Sequence, residues 1–253
     1  MTALFAHIVT VGTSLLLNAK KKYPEPSDEQ LLEFVKSDPK AASAELNTIL
    51  PQLEAMKDKQ HRVYLLHSDT EEGRRCASIL KSFLEGLGLR LSAEVREVPK
   101  LGEEKEFKKG LANLLEGVVE IIRGHYPEDR VFIYATGGFK PETAIAFLAG
   151  NLPGLGAPVF YIHEKFREVV RLPALPLSFR RKQKFFSLME HFCRNIKVPE
   201  LQLRERFRPE VVSEAERLGW IEKVGEDYEI TPMGLLLWQK FESLGLIKTK
   251  SRR

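Results

Sequence analysis

Two patterns of apolar residues alternate over the first two thirds of the chain. A continuous, β-branched apolar run at residues 5–11 predicts a strand buried on both faces of a sheet, and a second buried strand is predicted at 63–67. Further strands are predicted at 93–98, 130–135 and 158–163. Between them, apolar residues recur every three or four positions, which predicts amphipathic helices over 31–35, 46–56, 76–84, 106–123 and 144–148. This alternation predicts an α/β fold, with a Rossmann-like parallel sheet that carries helices on both faces.

The pattern changes after Pro173 and Pro176, which predict a stiff linker. Beyond it the periodicity predicts helices at 185–192, 201–207 and 211–218, a hairpin around 225–227, and a last helix at 233–244. Three helices, a hairpin and a helix follow one another in the order of a winged helix-turn-helix. We therefore expect a Rossmann-like domain over residues 1–178 and a small C-terminal winged-helix domain over 179–253.

Composition narrows the class of protein. A chain of 253 residues with 43% hydrophobic content can form one large or two modest domains with real cores, which favours folding over disorder. Its longest apolar runs fall far short of the roughly 20 residues that cross a bilayer, and no secretory signal precedes the first strand. Cys76 and Cys193 lie far apart without a CxxC pattern, so we expect buried thiols in a reducing cytoplasm rather than a zinc site.

The net charge of +4 comes entirely from the C-terminal part. Residues 181–253 hold 15 Lys and Arg and 11 Asp and Glu, and four of these bases lie in the last six positions. The third helix of the predicted winged helix, at 209–217, carries three acids and one base, and the wing carries Glu226 and Asp227. Because DNA phosphates would be repelled there, we expect this domain to serve dimerisation or to cover a pocket, with DNA as the less favoured partner.

Polar loops follow three of the predicted strands. They are Gly12-Thr13-Ser14, Ser68-Asp69-Thr70 and Gly137-Gly138-Phe139-Lys140. Ligands of open parallel sheets bind beyond the carboxyl ends of the strands, where glycines allow close approach and free N–H groups at helix starts favour phosphate. Each loop alone is typical of an ordinary turn between strand and helix. Together with the Lys140 charge and the Thr13 and Ser14 hydroxyls, they favour a phosphate-bearing ligand.

Several common chemistries lack their motifs. The chain has no GxxxxGK[ST], no GxGxxG at Gly12 and no GxSxG around Ser14, which argues against P-loop, nicotinamide and hydrolase sites. The histidines on or beside strands, His7, His67 and His163, are expected to be core residues. Asp69 and Glu142 are the acids near the expected crevice, and each is expected at a helix N-cap or first turn. We therefore expect no metal and no cofactor, so any phosphodiester chemistry would be metal-independent.

In four segments the chain resembles the CRISPR-associated Rossmann-fold (CARF) proteins, which sense cyclic oligoadenylates in type III CRISPR immunity. The resemblance covers about residues 3–178, looks most like the ring-nuclease branch, and is specific in the order of its motifs. The segments are Thr10-Val11-Gly12-Thr13-Ser14-Leu15-Leu16, Leu66-His67-Ser68-Asp69-Thr70 with Gly73, Ala135-Thr136-Gly137-Gly138-Phe139-Lys140-Pro141-Glu142, and Tyr161-Ile162-His163-Glu164-Lys165-Phe166 running into Leu172-Pro173.

This resemblance implies a cytoplasmic homodimer with one symmetric pocket for a cyclic oligoadenylate of four or six nucleotides. It implies catalytic roles for Ser14 and Lys140 in attack by a ribose 2′-OH on the adjacent phosphorus. It also implies a further basic residue, for which the stretch Lys100–Lys109 offers candidates that no motif distinguishes. A ligand-responsive transcription factor and a non-catalytic sensor remain the alternatives. The implied ligand-binding residues are Gly12, Thr13, Ser14, Leu15, Ser68, Asp69, Thr70, Gly137, Gly138, Phe139 and Lys140.

Overall fold

The computed structural model describes residues 4–125, 129–138, 140–151, 156–162, 168–173, 182–231, 234–235 and 238–239. The chain divides into two compact units. The first comprises Met1–Gly150 with Val159–Arg171, and the second comprises Asn151–Pro158 with Leu172–Arg253. Within the described residues, no helix is long and apolar enough to cross a membrane.

A six-stranded sheet forms the centre of the first unit. The strands are β1 (Leu4–Val11), β2 (Gln60–Ser68), β3 (Leu91–Val98), β4 (Arg130–Tyr134), β5 (Val159–Ile162) and β6 (Val169–Leu172). They lie in the order β3-β2-β1-β4-β5-β6, and the pairs β1–β2, β1–β4, β2–β3 and β4–β5 are parallel. The predicted α/β fold with a parallel sheet is confirmed. Strand β6 was not predicted, because this short, incompletely buried edge strand lacks a continuous apolar run.

Seven α-helices belong to the described part of this unit: α1 (Ser14–Ala19), α2 (Asp28–Ser37), α3 (Pro39–Ala42), α4 (Ala44–Ala55), α5 (Glu71–Glu85), α6 (Phe107–His125) and α7 (Lys140–Asn151). A 3₁₀ turn, Glu104–Glu106, precedes α6. The sequence predicted a loop after β1, whereas α1 begins at Ser14. Helices α1 and α3 were missed because six and four residues are too few to display a 3.6-residue period.

Alternation along the central strands divides the core between the two faces of the sheet. Val9 of β1 and Leu65 of β2 belong to the apolar cluster that also contains residues of α1, α2, α4 and α5. On the opposite face, the hydroxyl of Tyr64 bonds to His125 of α6. Helices therefore cover both faces, and strands between them are buried as the continuous apolar runs predicted.

The strand order places a topological switch point between β1 and β4. The chain proceeds from β1 to β2 and β3 on one side, and then crosses to β4 and β5 on the other. The loops that leave the carboxyl ends of β1 and β4 consequently diverge in opposite directions and leave a crevice. Gly12 begins one of these loops, and Gly137 and Gly138 lie in the other.

The second unit has its own sheet and core. Its elements are α8 (Lys182–Arg194), β7 (Lys197–Pro199), α9 (Glu200–Arg206), α10 (Pro209–Arg217), β8 (Ile221–Val224) and β9 (Asp227–Ile230). The antiparallel sheet has the order β7-β9-β8. The order of helices and hairpin is the predicted one, with the three-residue β7 added. Trp220 and Phe185 pack edge to face in the core, with ring centroids 5.3 Å apart.

Two of the sequence expectations fall mainly outside the described residues. Of the predicted linker, Pro173 is described and Pro176 is not. Of the last predicted helix, residues 234–235 and 238–239 are helical. Cys76 is buried and Cys193 is half-buried, and burial raises the pKa of the Cys76 thiol to about 11.

Candidate ligand site

The loop after β1 is held by a buried carboxylate of helix α4. Glu45 is only 2% exposed. One of its oxygens, Oε1, accepts a hydrogen bond from Gly12 N at 2.8 Å. The other, Oε2, accepts from the hydroxyls of Ser14 at 2.9 Å and Ser43 at 2.5 Å. Ser43 in turn caps α4 by accepting from Leu46 N at 3.3 Å, so the β1 loop is tied directly to the start of this helix.

The loop after β4 meets the loop after β1 through glycines. A Cβ on Gly12 would lie 2.6 Å from Gly138 N, and a Cβ on Gly137 would collide with the Glu45 carboxylate and with the carbonyl of Thr10. Thr10 Oγ1 donates to Gly137 O at 2.8 Å. The two loops approach one another more closely than any side chain permits. Gly138 also has a φ of +86°, a conformation that residues other than glycine rarely adopt.

Lys140 is exposed at the first position of α7, and none of the described residues pairs with its ammonium group. Two positions on, Glu142 is buried in the first turn, as expected, and a Cβ on Gly138 would collide with it. Phe139, named as a ligand contact, lies outside the described residues. The loop after β4 thus exposes the Lys140 ammonium group to solvent, two residues after Gly138, which contacts Gly12.

Two residues of the β1 loop have contrasting positions. Thr13 is exposed and its side chain makes no capping hydrogen bond, so its hydroxyl faces solvent at the start of α1. Leu15 is 1% exposed and belongs to the apolar core. Only the backbone of Leu15 could therefore face a ligand.

The loop after β2 is engaged in holding a neighbouring loop. Asp69 accepts hydrogen bonds from Lys100 N at 2.8 Å and Gly102 N at 2.7 Å. Burial acts to raise the pKa of Asp69, but these backbone hydrogen bonds outweigh it and lower the pKa. Thr70, rather than Asp69, caps α5, because Thr70 Oγ1 accepts from Gly73 N at 3.1 Å and lies 2.9 Å from Ser68 Oγ. The expectation that Asp69 is an N-cap or first-turn acid is therefore wrong.

The lysine-rich stretch after β3 differs in how its charges are paired. Lys100 bonds to Glu103 at 3.0 Å, and Lys109 bonds to Glu106 at 2.6 Å. Lys105 and Lys108 are exposed and form no ion pair with any described residue. These two are therefore the lysines of the stretch whose ammonium groups are available to an anion. Within the described residues, no three His, Cys, Asp or Glu side chains are grouped to hold a metal ion.

Two of the strand histidines are core residues, as predicted, and one of them belongs to a buried hydrogen-bonded chain. His61 Nε2 lies 2.9 Å from Met56 O, which can only accept, so Nε2 carries the proton. His7 Nε2 then donates to His61 Nδ1 at 2.9 Å, and the hydroxyl of Tyr134 donates to His7 Nδ1 at 3.0 Å. Burial first, and the nearby His61 second, lower the pKa of His7 to about 3. His163 lies outside the described residues.

Sequence reasoning missed Glu45, although the helical pattern contained a signal. The apolar positions of α4 include Leu46, Ile49 and Leu53. Glu45 precedes Ile49 by four residues, which places it on the same, buried face of the helix. A first-turn acid usually faces solvent, whereas an acid on the apolar stripe needs buried donors. Glu45 also changes the expectation that the β1 loop binds phosphate, because the Gly12 amide donates its hydrogen bond to Glu45 instead.

In the second unit, several basic side chains near the hairpin are neutralised locally. Lys197 bonds to Asp227 at 3.3 Å and to Glu229 at 3.1 Å. Glu200 accepts from Arg204 at 2.5 Å and from Lys223 at 2.6 Å. Basic side chains that are already paired within the protein attract the phosphate backbone of a nucleic acid less strongly.

Comparison with known proteins places the chain in a family. A family profile described as "CRISPR-associated protein (Cas_APE2256)" matches residues 40–175, more than half of the chain. The chain therefore belongs to this family of CRISPR-associated proteins. The expected resemblance is confirmed at the level of a CARF-type CRISPR protein.

Two solved structures match most of this chain at low sequence identity. One is Csm6 of Enterococcus italicus bound to cyclic hexa-2′-fluoro-hexa-dAMP, with 11% identity and a TM-score of 0.46 over 96% of this chain and 55% of that one. The other is protein VC1899 of Vibrio cholerae, with 10% identity and a TM-score of 0.32 over 92% of this chain and 64% of that one. The chain thus spans just over half the length of Csm6 and less than two thirds of VC1899.

Proposed function

We propose that this CRISPR-associated protein is a ring nuclease that binds cyclic oligoadenylate, most favourably cyclic tetra-adenylate, and cleaves it without a metal ion. Its cleavage would switch off type III CRISPR signalling. The observation that carries the proposal is the meeting of the Ser14 loop and the Gly137–Lys140 loop at the switch point of the sheet. The class of ligand is the one that the resemblance to CARF proteins implies, and membership of a CRISPR-associated family supports that resemblance.

The proposed reaction uses a nucleophile that the ligand brings with it. A ribose 2′-oxygen attacks the adjacent phosphorus, the bond from phosphorus to the 5′-oxygen breaks, and a 2′,3′-cyclic phosphate end results. The proton lost by the 2′-OH is balanced by the proton that the 5′-oxygen gains, so water is not consumed. Alignment of such an internal attack supplies about 7–11 kcal/mol in ideal cases.

Ser14 and Lys140 have different tasks in this proposal. Ser14 is immobilised by Glu45, which suits a residue that positions the ribose. Lys140, whose ammonium group pairs with none of the described residues, suits stabilisation of the charge that develops on the phosphate oxygens. We further propose that the protein acts as a cytoplasmic homodimer, with a CARF domain at 1–178 and a winged helix at 179–253 that serves dimerisation or covers the ligand.

The first test is incubation of the purified protein with cyclic tetra-adenylate in EDTA, with products resolved by chromatography and mass spectrometry. Linear di-adenylate with a cyclic phosphate is the expected product, and the cyclic hexamer is tested in parallel. Intact ring that co-elutes with the protein would instead indicate a sensor. DNA binding with a steep salt dependence would then favour the transcription factor over the non-catalytic sensor.

A Lys140→Ala variant tests the proposed transition-state role. Because Lys140 is exposed and unpaired with any described residue, its loss is expected to change the free energy of unfolding by less than about 0.5 kcal/mol. Cleavage of the ring is expected to fall at least about 100-fold, the usual effect of removing one transition-state donor. Lys36→Ala, an exposed lysine in the last turn of α2, is the matched control. Full cleavage by Lys140→Ala would refute the role.

A further inference from the structure

The hydrogen bonds of Ser14 determine what its hydroxyl can offer to a ligand. A serine hydroxyl has one proton to donate and two lone pairs that accept. The proton of Ser14 goes to Glu45 Oε2 at 2.9 Å. One lone pair accepts from Ala44 N at 3.3 Å. Among the described residues no other group hydrogen-bonds to the Ser14 hydroxyl, so one lone pair remains and Ser14 meets a ligand as an acceptor.

Glu45 is the residue that makes the Ser14 hydroxyl an acceptor toward a ligand, a role that we call the polarity of Ser14. Its carboxylate accepts from the Gly12 amide and from the Ser14 and Ser43 hydroxyls, and it is buried where water does not compete. An ionised carboxylate only accepts, so the Ser14 proton has a fixed destination. Charge-assisted hydrogen bonds are about twice as strong as neutral ones, which keeps the hydroxyl from turning toward a ligand.

The polarity of Ser14 decides which part of a nucleotide fits beside it. Phosphate oxygens only accept hydrogen bonds, and the buried charge of Glu45 repels them. A ribose 2′-OH carries a proton that the free lone pair of Ser14 can accept. A 2′-deoxyribose carries no hydroxyl there, and the lone pair would then lose water on binding without regaining a partner.

We propose that Glu45 is a positioning residue that turns Ser14 into an acceptor for the ligand's 2′-OH, and that this pair selects cyclic ribo-oligoadenylate over its 2′-deoxy analogue. The assignment rests on the proposed function, since it concerns the same ligand. It goes further by naming the group that is recognised and the residue that sets the recognition.

Substitution of Glu45 by Gln tests the polarity with little change in shape. The Gly12 amide must donate, so the Gln carbonyl oxygen takes the place of Oε1 and its NH₂ group takes the place of Oε2. That NH₂ group then donates to the Ser14 hydroxyl, whose own proton becomes free for the ligand. Ser14 changes from acceptor to donor. It can then donate to phosphate oxygens, which both rings carry, so the preference for a 2′-OH is expected to weaken.

The measurement is the ratio of dissociation constants for cyclic tetra-2′-deoxyadenylate and cyclic tetra-adenylate, by calorimetry. All proteins carry Lys140→Ala so that cleavage of the ribose ring is slowed at least about 100-fold, and the deoxy ring lacks the attacking 2′-OH. In that background the ribose ring is expected to bind at least tenfold more tightly than the deoxy ring. Glu45→Gln and Ser14→Ala are each expected to reduce the ratio below threefold. Adding Glu45→Gln to Ser14→Ala is expected to change it no further, because Glu45 acts through Ser14.

Ser27→Ala is the control for a loss of stability, since it removes the cap of helix α2 and is expected to keep the tenfold ratio. If Glu45→Gln does not fold, Glu45→Asp replaces it. Aspartate withdraws the carboxylate by about 1.5 Å, one C–C bond, so its ratio is expected to lie between those of the background protein and Ser14→Ala. A ratio equal to that of the background protein would overturn the proposal.

Other outcomes separate this proposal from the function on which it rests. If the background protein binds both rings equally, Ser14 and Glu45 do not select the 2′-OH. If Glu45→Gln leaves the ratio unchanged while both affinities fall, Glu45 has only a structural role. In either case this assignment fails while the proposed function stands. If neither ring binds to the wild-type protein, the proposed function fails and the assignment fails with it.

Discussion

Acidification is expected to destabilise the α/β unit through the buried histidine His7. In the folded protein His7 accepts from Tyr134 and donates to His61, which requires the neutral ring. Its pKa is about 3 in the folded protein, against an ordinary value of 6.5 in the unfolded chain. A proton therefore binds the unfolded chain more readily, so stability is fully present above pH 6.5 and is lost as the pH falls from 6.5 toward 3.

The size of this effect follows from the two pKa values. Between them, each pH unit costs about 1.4 kcal/mol per titrating group. At pH 5.0, His7 alone is therefore expected to remove about 2 kcal/mol of unfolding free energy. Burial also lowers the pKa of His61, which adds a loss of the same sign.

Urea unfolding at pH 7.5 and 5.0 measures this loss. The comparison is with His7→Gln, whose amide can accept from Tyr134 and donate to His61 but does not titrate. The wild-type protein is expected to lose about 2 kcal/mol more than the variant over this interval. Since the other described histidines are present in both proteins, the difference isolates His7. Equal losses in the two proteins would refute the reasoning.

Two further substitutions test the contacts around the loops. Gly137→Ala forces a methyl group against Glu45 and is expected to cost more than about 2 kcal/mol of unfolding free energy, measured by urea titration; a loss below about 0.5 kcal/mol would contradict the close approach. Asp69→Ala frees the amides of Lys100 and Gly102, and is expected to cost about 1.5–3 kcal/mol and to speed hydrogen exchange at these two amides; unchanged exchange would show that the carboxylate does not hold the loop.

The sequence predicted the elements whose formation depends on local pattern. The runs at 5–11 and 63–67 became β1 and β2 because strands buried on both faces must be apolar throughout. The loops that contain Gly12 and Gly137 were predicted to hold candidate site residues, since glycines after the ends of parallel strands allow a ligand or another segment of backbone to approach closely. Such features are encoded within a few neighbouring residues, and a single sequence is sufficient to find them.

Tertiary structure alone decided what the polar side chains do. Asp69 lies beside a predicted ligand loop, yet it holds backbone 31 and 33 residues away, because the β2 and β3 loops leave adjacent strands. Glu45 resembles an ordinary first-turn acid until α4 brings it beneath Ser14, 31 residues distant. A hydroxyl or carboxylate has a chemical role only through its partners, and here those partners come from other elements of the fold. Residue types thus predicted where a ligand site would lie, and packing determined which polar atoms there are already engaged within the protein.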